Sequence, residues 1–311
     1  MTRVHGPSLA GLRVAVTGAS GFCGGHTARA AADRGADVVC LGRRPGPVGR
    51  HVAWDATRDE PDLAGADIVI HLAAAVGDPA DGPAVEAAFH AVNVDGTRRL
   101  LDAAAGRPVV WVSSSSVYDP RTGRAPLVED DPVGGQLSAY GRTKAAGERV
   151  ALAGGAVVLR PRAVYGPGDP HLLPRLRRAV RAGRLLMPGP DVRLSLTAVE
   201  NLADACLRAY RWTPGAYNVT DAEPYPRDDT LRDVLAAHGI PARVVHVPVG
   251  AALALARAAR WLTAEPALTT YGVDQIARGV VLDIGKALGQ GWRPRNTIAD
   301  YVAGCAQAAH R

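Results

Sequence analysis

Glycines at 18, 21 and 24 limit what this chain can fold into more than any other feature, because of what flanks them. Leu12 to Thr17 is rich in valine and alanine and reads as a buried strand, and an alanine-rich stretch from about Gly25 to Arg34 reads as a helix. A glycine-rich turn between strand and helix lets the backbone turn tightly and pass close to a ligand. The helix N-terminus then presents unpaired N–H groups to an anion, so a dinucleotide pyrophosphate can rest there. The spacing alone is weak evidence; with a strand before it and a helix after it, it predicts an open α/β sheet with a dinucleotide at its edge.

The segments that follow keep the alternation of strand and helix. Asp37 to Leu41 predicts a second strand ending at Gly42-Arg43-Arg44. An acid at this point would hold the ribose 2′-hydroxyl of NAD, whereas arginine accommodates the 2′-phosphate of NADP. Arg43 and Arg44 therefore predict NADP(H) ahead of NAD(H). A short third strand, His51 to Asp55, would bring Asp55 to the adenine amine. Asp67 to Ala75 predicts a buried fourth strand that ends in small residues, letting the chain pass close to the cofactor. A long helix from about Pro83 to Ala105 carries Asn93, and Pro108 to Val112 is a fifth strand that runs into Ser113-Ser114-Ser115-Ser116. Ligands of open parallel sheets bind beyond the carboxyl ends of the strands, where such serines can donate to a substrate carbonyl.

Tyr140 and Lys144 stand four apart in a stretch that reads as helix, which puts them on one face, one turn apart. A phenol titrates near ~10, and a neighbouring cation lowers that value, which suits the residue to proton transfer. Lysine is scarce in this chain: apart from Lys144 there is only Lys286.

Composition excludes several classes. With 311 residues, 47% hydrophobic, the chain has ample core, and no apolar run approaches the roughly 20 residues of a membrane span. Cys23, Cys40, Cys206 and Cys305 are scattered without metal-like spacing, which predicts reduced thiols, no bound metal and a cytoplasmic protein; the N-terminus lacks signal-peptide character. A net charge of +6 raises the question of nucleic acid, but the arginines are dispersed, and none is expected. The abundance of Arg, Ala, Gly and Pro beside scarce Lys looks like the product of a GC-rich genome and suits secondary metabolism.

Taken in order, Thr17-Gly-Ala-Ser-Gly-Phe-Cys-Gly24, His71-Leu-Ala-Ala74, Asn93-Val-Asp-Gly-Thr97, Ser113 to Tyr118, Tyr140 to Lys144 and Arg160-Pro-Arg-Ala-Val-Tyr-Gly-Pro167 resemble the extended short-chain dehydrogenase/reductases over nearly the whole chain. The resemblance implies a Rossmann-type doubly wound parallel sheet with a smaller, mostly helical C-terminal substrate lobe. Residues 1–165 would form the dinucleotide-binding core, with about 190–220 returning to it, and 166–311 mainly the lobe. It implies Tyr140 as general acid/base, Lys144 as its tuner and ribose ligand, Ser114 as the catalytic serine (with Ser115 a near alternative) and Asn93 beside the site. Gly18, Ser20, Gly21, Phe22, Cys23, Gly24, Leu72, Ala73, Ala74, Pro161 and Val164 would border the cofactor. A homodimer through the helices flanking the sheet is usual in the family.

Family members that act on sugar nucleotides usually carry an asparagine where Ala163 stands, so the alanine argues against a diphosphate substrate. Gly166 to Arg175, Asn218 to Pro224 and the tail around Tyr271, Asp283 to Gly289 and Trp292 resemble the branch of 3β-hydroxysteroid dehydrogenases and 2-alkyl-3-oxoalkanoate reductases. That branch implies a hydrophobic hydroxyl or keto substrate, with Ser115, Ser116, Tyr165, His171 and Arg193 as pocket candidates. The expected activity is an NADP(H)-dependent ketoreductase or alcohol dehydrogenase; the alternatives are a nucleotide-sugar epimerase or dehydratase and a non-catalytic dinucleotide sensor. Retention of both Tyr140 and Lys144 favours an enzyme.

Overall fold

The computed structural model describes residues 6–77, 79, 82–122, 126–170, 172–259 and 269–309. Strands β1 (Arg13–Thr17), β2 (Asp37–Gly42), β3 (Arg50–Ala53), β4 (Ile68–His71), β5 (Val109–Val112) and β6 (Val157–Pro161) alternate with helices α1 (Phe22–Asp33), α2 (Pro83–His90), α3 (Gly96–Ala104) and α4 (Ala139–Ala153). Beyond them come β7 (Val164–Tyr165), α5 (Leu172–Ala179), β8 (Val180–Arg181), β9 (Arg184–Pro188), β10 (Arg193–Leu194), β11 (Thr197–Ala198), α6 (Val199–Ala209) and β12 (Gly215–Val219). The remainder is β13 (Tyr225–Pro226), α7 (Arg227–Ala237), β14 (Arg243–Val247), α8 (Val249–Ala259), α9 (Thr270–Ala277), α10 (Gly285–Gly289) and α11 (Ile298–Ala309).

The main sheet has the order β12-β6-β5-β4-β1-β2-β3 and its pairings are parallel. This is the doubly wound arrangement, with the chain reversing direction across the sheet between β1 and β4, where such sheets bind ligands. Its central strands are valine- and isoleucine-rich and buried apart from Arg13 at the start of β1, as a sheet covered on both faces requires. One face packs on α1, α6 and the Ile284, Ala287 and Trp292 side chains of the C-terminal tail; the other packs on Leu100 and Ala104 of α3 and Ala151 of α4. The tail is stitched in further. Leu127 N donates to Val281 O at 2.8 Å, Asp283 N donates to Leu127 O at 2.9 Å, and Asn218 Nδ2 of β12 donates to Asp283 O at 3.0 Å.

Two departures from the sequence expectation have local causes. The helix expected to run unbroken from Pro83 to Ala105 contains a π-helical turn at Ala91–Asp95, which presents the Asn93 side chain to partners on two other elements. Val192-Arg-Leu-Ser-Leu-Thr197 has the pattern of one strand but is split, because its residues switch partners: Arg193–Leu194 pairs antiparallel with Tyr225–Pro226, Ser195 N bonds Val280 O, and Thr197–Ala198 pairs parallel with Val164–Tyr165. Among the described residues no helix is long and apolar enough to cross a membrane.

Helix α4 sits unusually close to the π-helical turn because residue 147 is glycine. A Cβ there would lie 2.2 Å from Asn93 O and 3.1 Å from the Trp111 ring. Gly147→Ala is therefore expected to lower unfolding free energy by about 1–3 kcal/mol, the usual cost of overpacking. Gly250→Ala in α8, where a Cβ meets nothing within 4 Å among the described residues, should be neutral or slightly stabilising. Urea unfolding of the two variants measures the contrast, and equal stabilities would show that α4 has slack.

Candidate active site

The turn after β1 is built for close approach. Gly18 has φ +70°, and a Cβ on it would lie 2.8 Å from Ala73 N; a Cβ on Gly24 would lie 2.2 Å from Gly18 O. Only glycine lets these three backbone stretches meet. Gly21 caps α1 with no side-chain hydrogen bond, and the first turn of α1 carries no acid, so the helix dipole faces outward uncompensated. Phe22 packs edge-on against His26, Ser20 is exposed, and Cys23 has its thiol pushed up to about 12 by burial, with Asp169 adding to the effect. Thr17 Oγ1 ties the cradle to β4, accepting from Leu72 N at 3.1 Å and Ala73 N at 3.0 Å while contacting His71 Nδ1 at 2.7 Å. Burial, and then the Lys144 charge, hold His71 down to about 3, so the ring is neutral. Ala74 lies half-buried in the same loop.

Arg43 and Arg44 follow β2 and are exposed. Asp55 lies in the turn after β3, where its carboxylate accepts from Thr57 N and Oγ1 at 3.0 and 2.8 Å. These bonds, with Arg58 and Arg43 nearby, hold its pKa below the ordinary value.

Ser114 lies just past β5 and caps a 3₁₀ turn at Ser115–Val117, its Oγ accepting from Ser116 N at 3.2 Å. The same hydroxyl lies near the Tyr140 phenol and favours its ionised form. Ser138 starts α4 by accepting from Gly141 N, which sets Tyr140 in the first turn of that helix. Burial pushes the Tyr140 phenol above its usual range, Tyr271 adds to the rise, and the Ser114 hydroxyl opposes it. The sequence predicted a phenol lowered by its lysine; in this structure desolvation wins.

Lys144 is buried. Its Nζ donates to Val112 O at 2.6 Å and lies 3.7 Å from the centroid of the Trp111 ring. Burial lowers its ammonium to about 7, and Glu148 opposes the shift. Asn93 is committed to neighbours: its Oδ1 accepts from Ala75 N at 2.8 Å, and its Nδ2 donates to Ala75 O at 3.1 Å and Thr143 Oγ1 at 3.0 Å. It joins the β4 loop to α4 and acts through them.

Pro161 and Val164 border the end of β6, buried and half-buried. Of the pocket candidates, Ser115 is half-buried and Ser116 is buried with its Oγ unpartnered among the described residues. Tyr165 is buried in the core of the C-terminal lobe, donating to Asp221 Oδ2 at 2.6 Å, and Arg193 is exposed and bonds Pro224 O. His171 lies outside the described residues.

Sequence reasoning missed the ion pair beneath α4. Glu148 accepts from Arg160 Nη2 at 2.5 Å and from Ser113 Oγ at 2.5 Å, with both charged side chains under 5% exposed (3% and 4%). Arg160 Nη1 also donates to Tyr118 OH at 2.9 Å, which donates to Asn218 Oδ1 at 2.6 Å. A signal existed: Glu148 continues the four-residue spacing of Tyr140 and Lys144.

Because the Lys144 ammonium is lowered from 10.5 to about 7, the unfolded chain binds more protons between those values. The burial penalty is therefore complete below about pH 7 and is relieved as pH rises towards 10.5. The wild-type unfolding free energy minus that of Lys144→Met should rise across this window in urea titrations. A flat difference would mean that Lys144 is not desolvated.

Residues 14–220 match the model of the NAD dependent epimerase/dehydratase family. The chain is 31% identical to a 2-alkyl-3-oxoalkanoate reductase of Stenotrophomonas maltophilia, over 74% of this chain and 77% of that protein. It is also 31% identical to a 3 beta-hydroxysteroid dehydrogenase/Delta 5→4-isomerase of Mycobacterium tuberculosis, over 73% of this chain and 70% of that one. Among solved structures, MoeE5 in complex with UDP-glucuronic acid and NAD superposes with a TM-score of 0.73 at 25% identity, covering 97% of this chain and 99% of that one. With its parallel seven-stranded sheet and glycine cradle, the chain is an enzyme of the NAD dependent epimerase/dehydratase family and has the extended short-chain dehydrogenase/reductase fold.

Proposed function

We propose that the protein is an NADP(H)-dependent ketoreductase or alcohol dehydrogenase acting on a hydrophobic hydroxyl or keto compound. The observation that carries this reading is the convergence of Ser114, just past β5, with the Tyr140 phenol, one helical turn from Lys144. The glycine cradle and the open N-terminus of α1 fit a pyrophosphate, since a Cβ on Gly18 or Gly24 would fill space that only bare backbone can share. Bound there, the nicotinamide supplies or accepts the hydride.

The chain's own part is proton handling and orientation. A phenol whose pKa is raised by burial stays protonated at neutral pH, the state required of a donor to a carbonyl oxygen. Ser114 Oγ accepts from Ser116 N, which leaves its hydrogen available for that same oxygen. Lys144 in its ammonium form, one helical turn from Tyr140, stabilises the phenolate left when the phenol gives its proton to the carbonyl oxygen. Asn93 holds the β4 loop and Thr143 in register, so the two catalytic side chains keep their spacing. Tyr140→Phe should lower kcat by at least about 10²-fold with cofactor affinity nearly unchanged, in line with the loss of a general acid. Full activity in that variant ends this mechanism.

The preference for NADP(H) rests on Arg43 and Arg44, exposed at the end of β2 with no acid between them. A charged hydrogen bond to a phosphate contributes about 1.5–3 kcal/mol, so replacing both arginines by serine should cost NADPH roughly 10- to 100-fold in kcat/KM and NADH little. Equal use of the two cofactors by the unaltered protein would remove the phosphate-binding assignment.

One observation favours a second reading: the likeness to MoeE5 extends over nearly the full chain. A nucleotide-sugar epimerase would use the same tyrosine and lysine and return the hydride. Ala163 counts against it, having no hydrogen-bonding side chain and a left-handed φ of +42°. Absorbance at 340 nm separates the two: steady NADPH consumption with an apolar ketone supports the reductase, and turnover of a sugar nucleotide without net cofactor change supports the epimerase.

A further inference from the structure

The three-stranded sheet β14-β9-β8 turns one face into the molecule and the other to solvent. Side chains alternate across a strand. Val180, Leu185, Met187 and Val244 pack in the apolar core around Tyr165, so Arg181, Arg184, Leu186, Arg243 and Val245 point out. The three arginines are exposed, and Leu186 is 55% exposed.

The register sets the arginines side by side. Arg181 pairs with Arg184 across the β8–β9 hairpin, and Arg243 pairs with Arg184 from the other side. The hairpin register is fixed by a two-residue turn, Ala182-Gly183, in which both φ angles are positive (+48° and +67°). Adjacent strands lie about 4.8 Å apart, so three cationic side chains rise from one row. Leu186 and Val245 pair in the next outward row.

Like charges directly opposite one another destabilise a sheet. Nothing in this row offsets that cost among the described residues. The ion pairs of α7 and β14, which are Arg227–Asp228, Arg232–Asp229 and His246–Asp228, use other side chains. Arg181 Nη1 donates to Val180 O at 3.1 Å, a neutral carbonyl. Residues 171–190 include five arginines and no Asp or Glu, and Arg177 and Arg178 in the last turn of α5 lead directly into β8. The cluster is invisible along the chain, because Arg243 joins it only through strand pairing. Unpaired cations beside exposed apolar side chains suit a surface of anionic headgroups over an acyl layer. Nucleic acid would use the charge but leave Leu186 in water, and the outward rows hold no aromatic ring to stack on a base.

We propose that this face docks the protein on a bilayer that contains anionic phospholipid. Arg181, Arg184 and Arg243 lie against headgroup phosphates, and Leu186 enters the acyl boundary. The docking is independent of the ketoreductase reading.

The full chain is sedimented with vesicles of phosphatidylcholine alone, or of phosphatidylcholine with about one-third phosphatidylglycerol. Binding to the anionic vesicles is expected to exceed binding to the neutral ones at least about tenfold, and to fall as salt rises towards ~0.5 M. At about fivefold per arginine, Arg181→Ser/Arg184→Ser/Arg243→Ser should weaken it roughly 100-fold. Its melting temperature should not fall, because the cross-strand repulsion is gone. A control with the same charge change at exposed positions elsewhere, Arg29→Ser/Arg50→Ser/Arg149→Ser, should lose less than about fivefold. Leu186→Ser should weaken binding with every arginine retained, which decides the matter if the triple variant misfolds. No binding to either vesicle, equal binding to both, or equal losses in the two triple variants overturns the proposal. Tighter binding to a short RNA duplex than to anionic vesicles, lost in the same triple variant, assigns the face to nucleic acid and overturns it too.

Discussion

The geometry of the site depends on a buried charge pair that touches none of the reacting groups. Glu148 and Arg160 are both almost wholly removed from water, and their oxygens and nitrogens are shared out among Ser113, Tyr118 and the Glu129 carbonyl. A pair like this contributes little net stability against an apolar replacement, but breaking it leaves a charge stranded in low dielectric, at a cost of about 3–5 kcal/mol. The strong penalty for misplacement gives it directional value. It locks α4 to β6 at one rotation and one height, and Tyr140 and Lys144 ride on the same face of that helix one and two turns earlier. Gly147 and Asn93 then set how deep the helix sits.

Much of this architecture was legible before any coordinates. The strand, glycine turn and helix at residues 13–33, and the order of strands through β6, follow from buried apolar runs separated by turn residues, a strong and local signal. Tyr140 and Lys144 announced themselves by spacing. What could not be read depends on contacts distant in sequence. Glu148 and Arg160 become partners only once α4 lies on β6, and the π-helical turn carries Asn93, whose side chain bonds Ala75 and Thr143 together. Arg193 to Ala198 contains a strand-like pattern but divides its hydrogen bonds among three partners, which periodicity does not encode.

The electrostatics of the pair also departs from the simple expectation. A lysine beside a tyrosine lowers the phenol only if the lysine is charged and water is not excluded from both. Here desolvation acts on each, raising the phenol and lowering the ammonium, so the pair holds a neutral acid and a neutral or weakly charged base. Lys144 finds partial compensation in the Trp111 face and the Val112 carbonyl. Environments that push two proton affinities apart give the groups distinct roles, the phenol keeping its proton and the amine releasing its own more readily.

The stitching of residues 281–292 into the first half of the molecule bears on how the protein is made. Leu127 and Asn218 bond the Val281–Asp283 segment, and Trp292 closes the apolar face beneath α6. Synthesis proceeds from the N-terminus, and domains usually fold as they emerge. This chain does not allow that order to finish, since the main sheet lacks an edge strand until residue 219 and a section of its core until residue 292. Completion of the core waits until residue 292 has emerged from the ribosome.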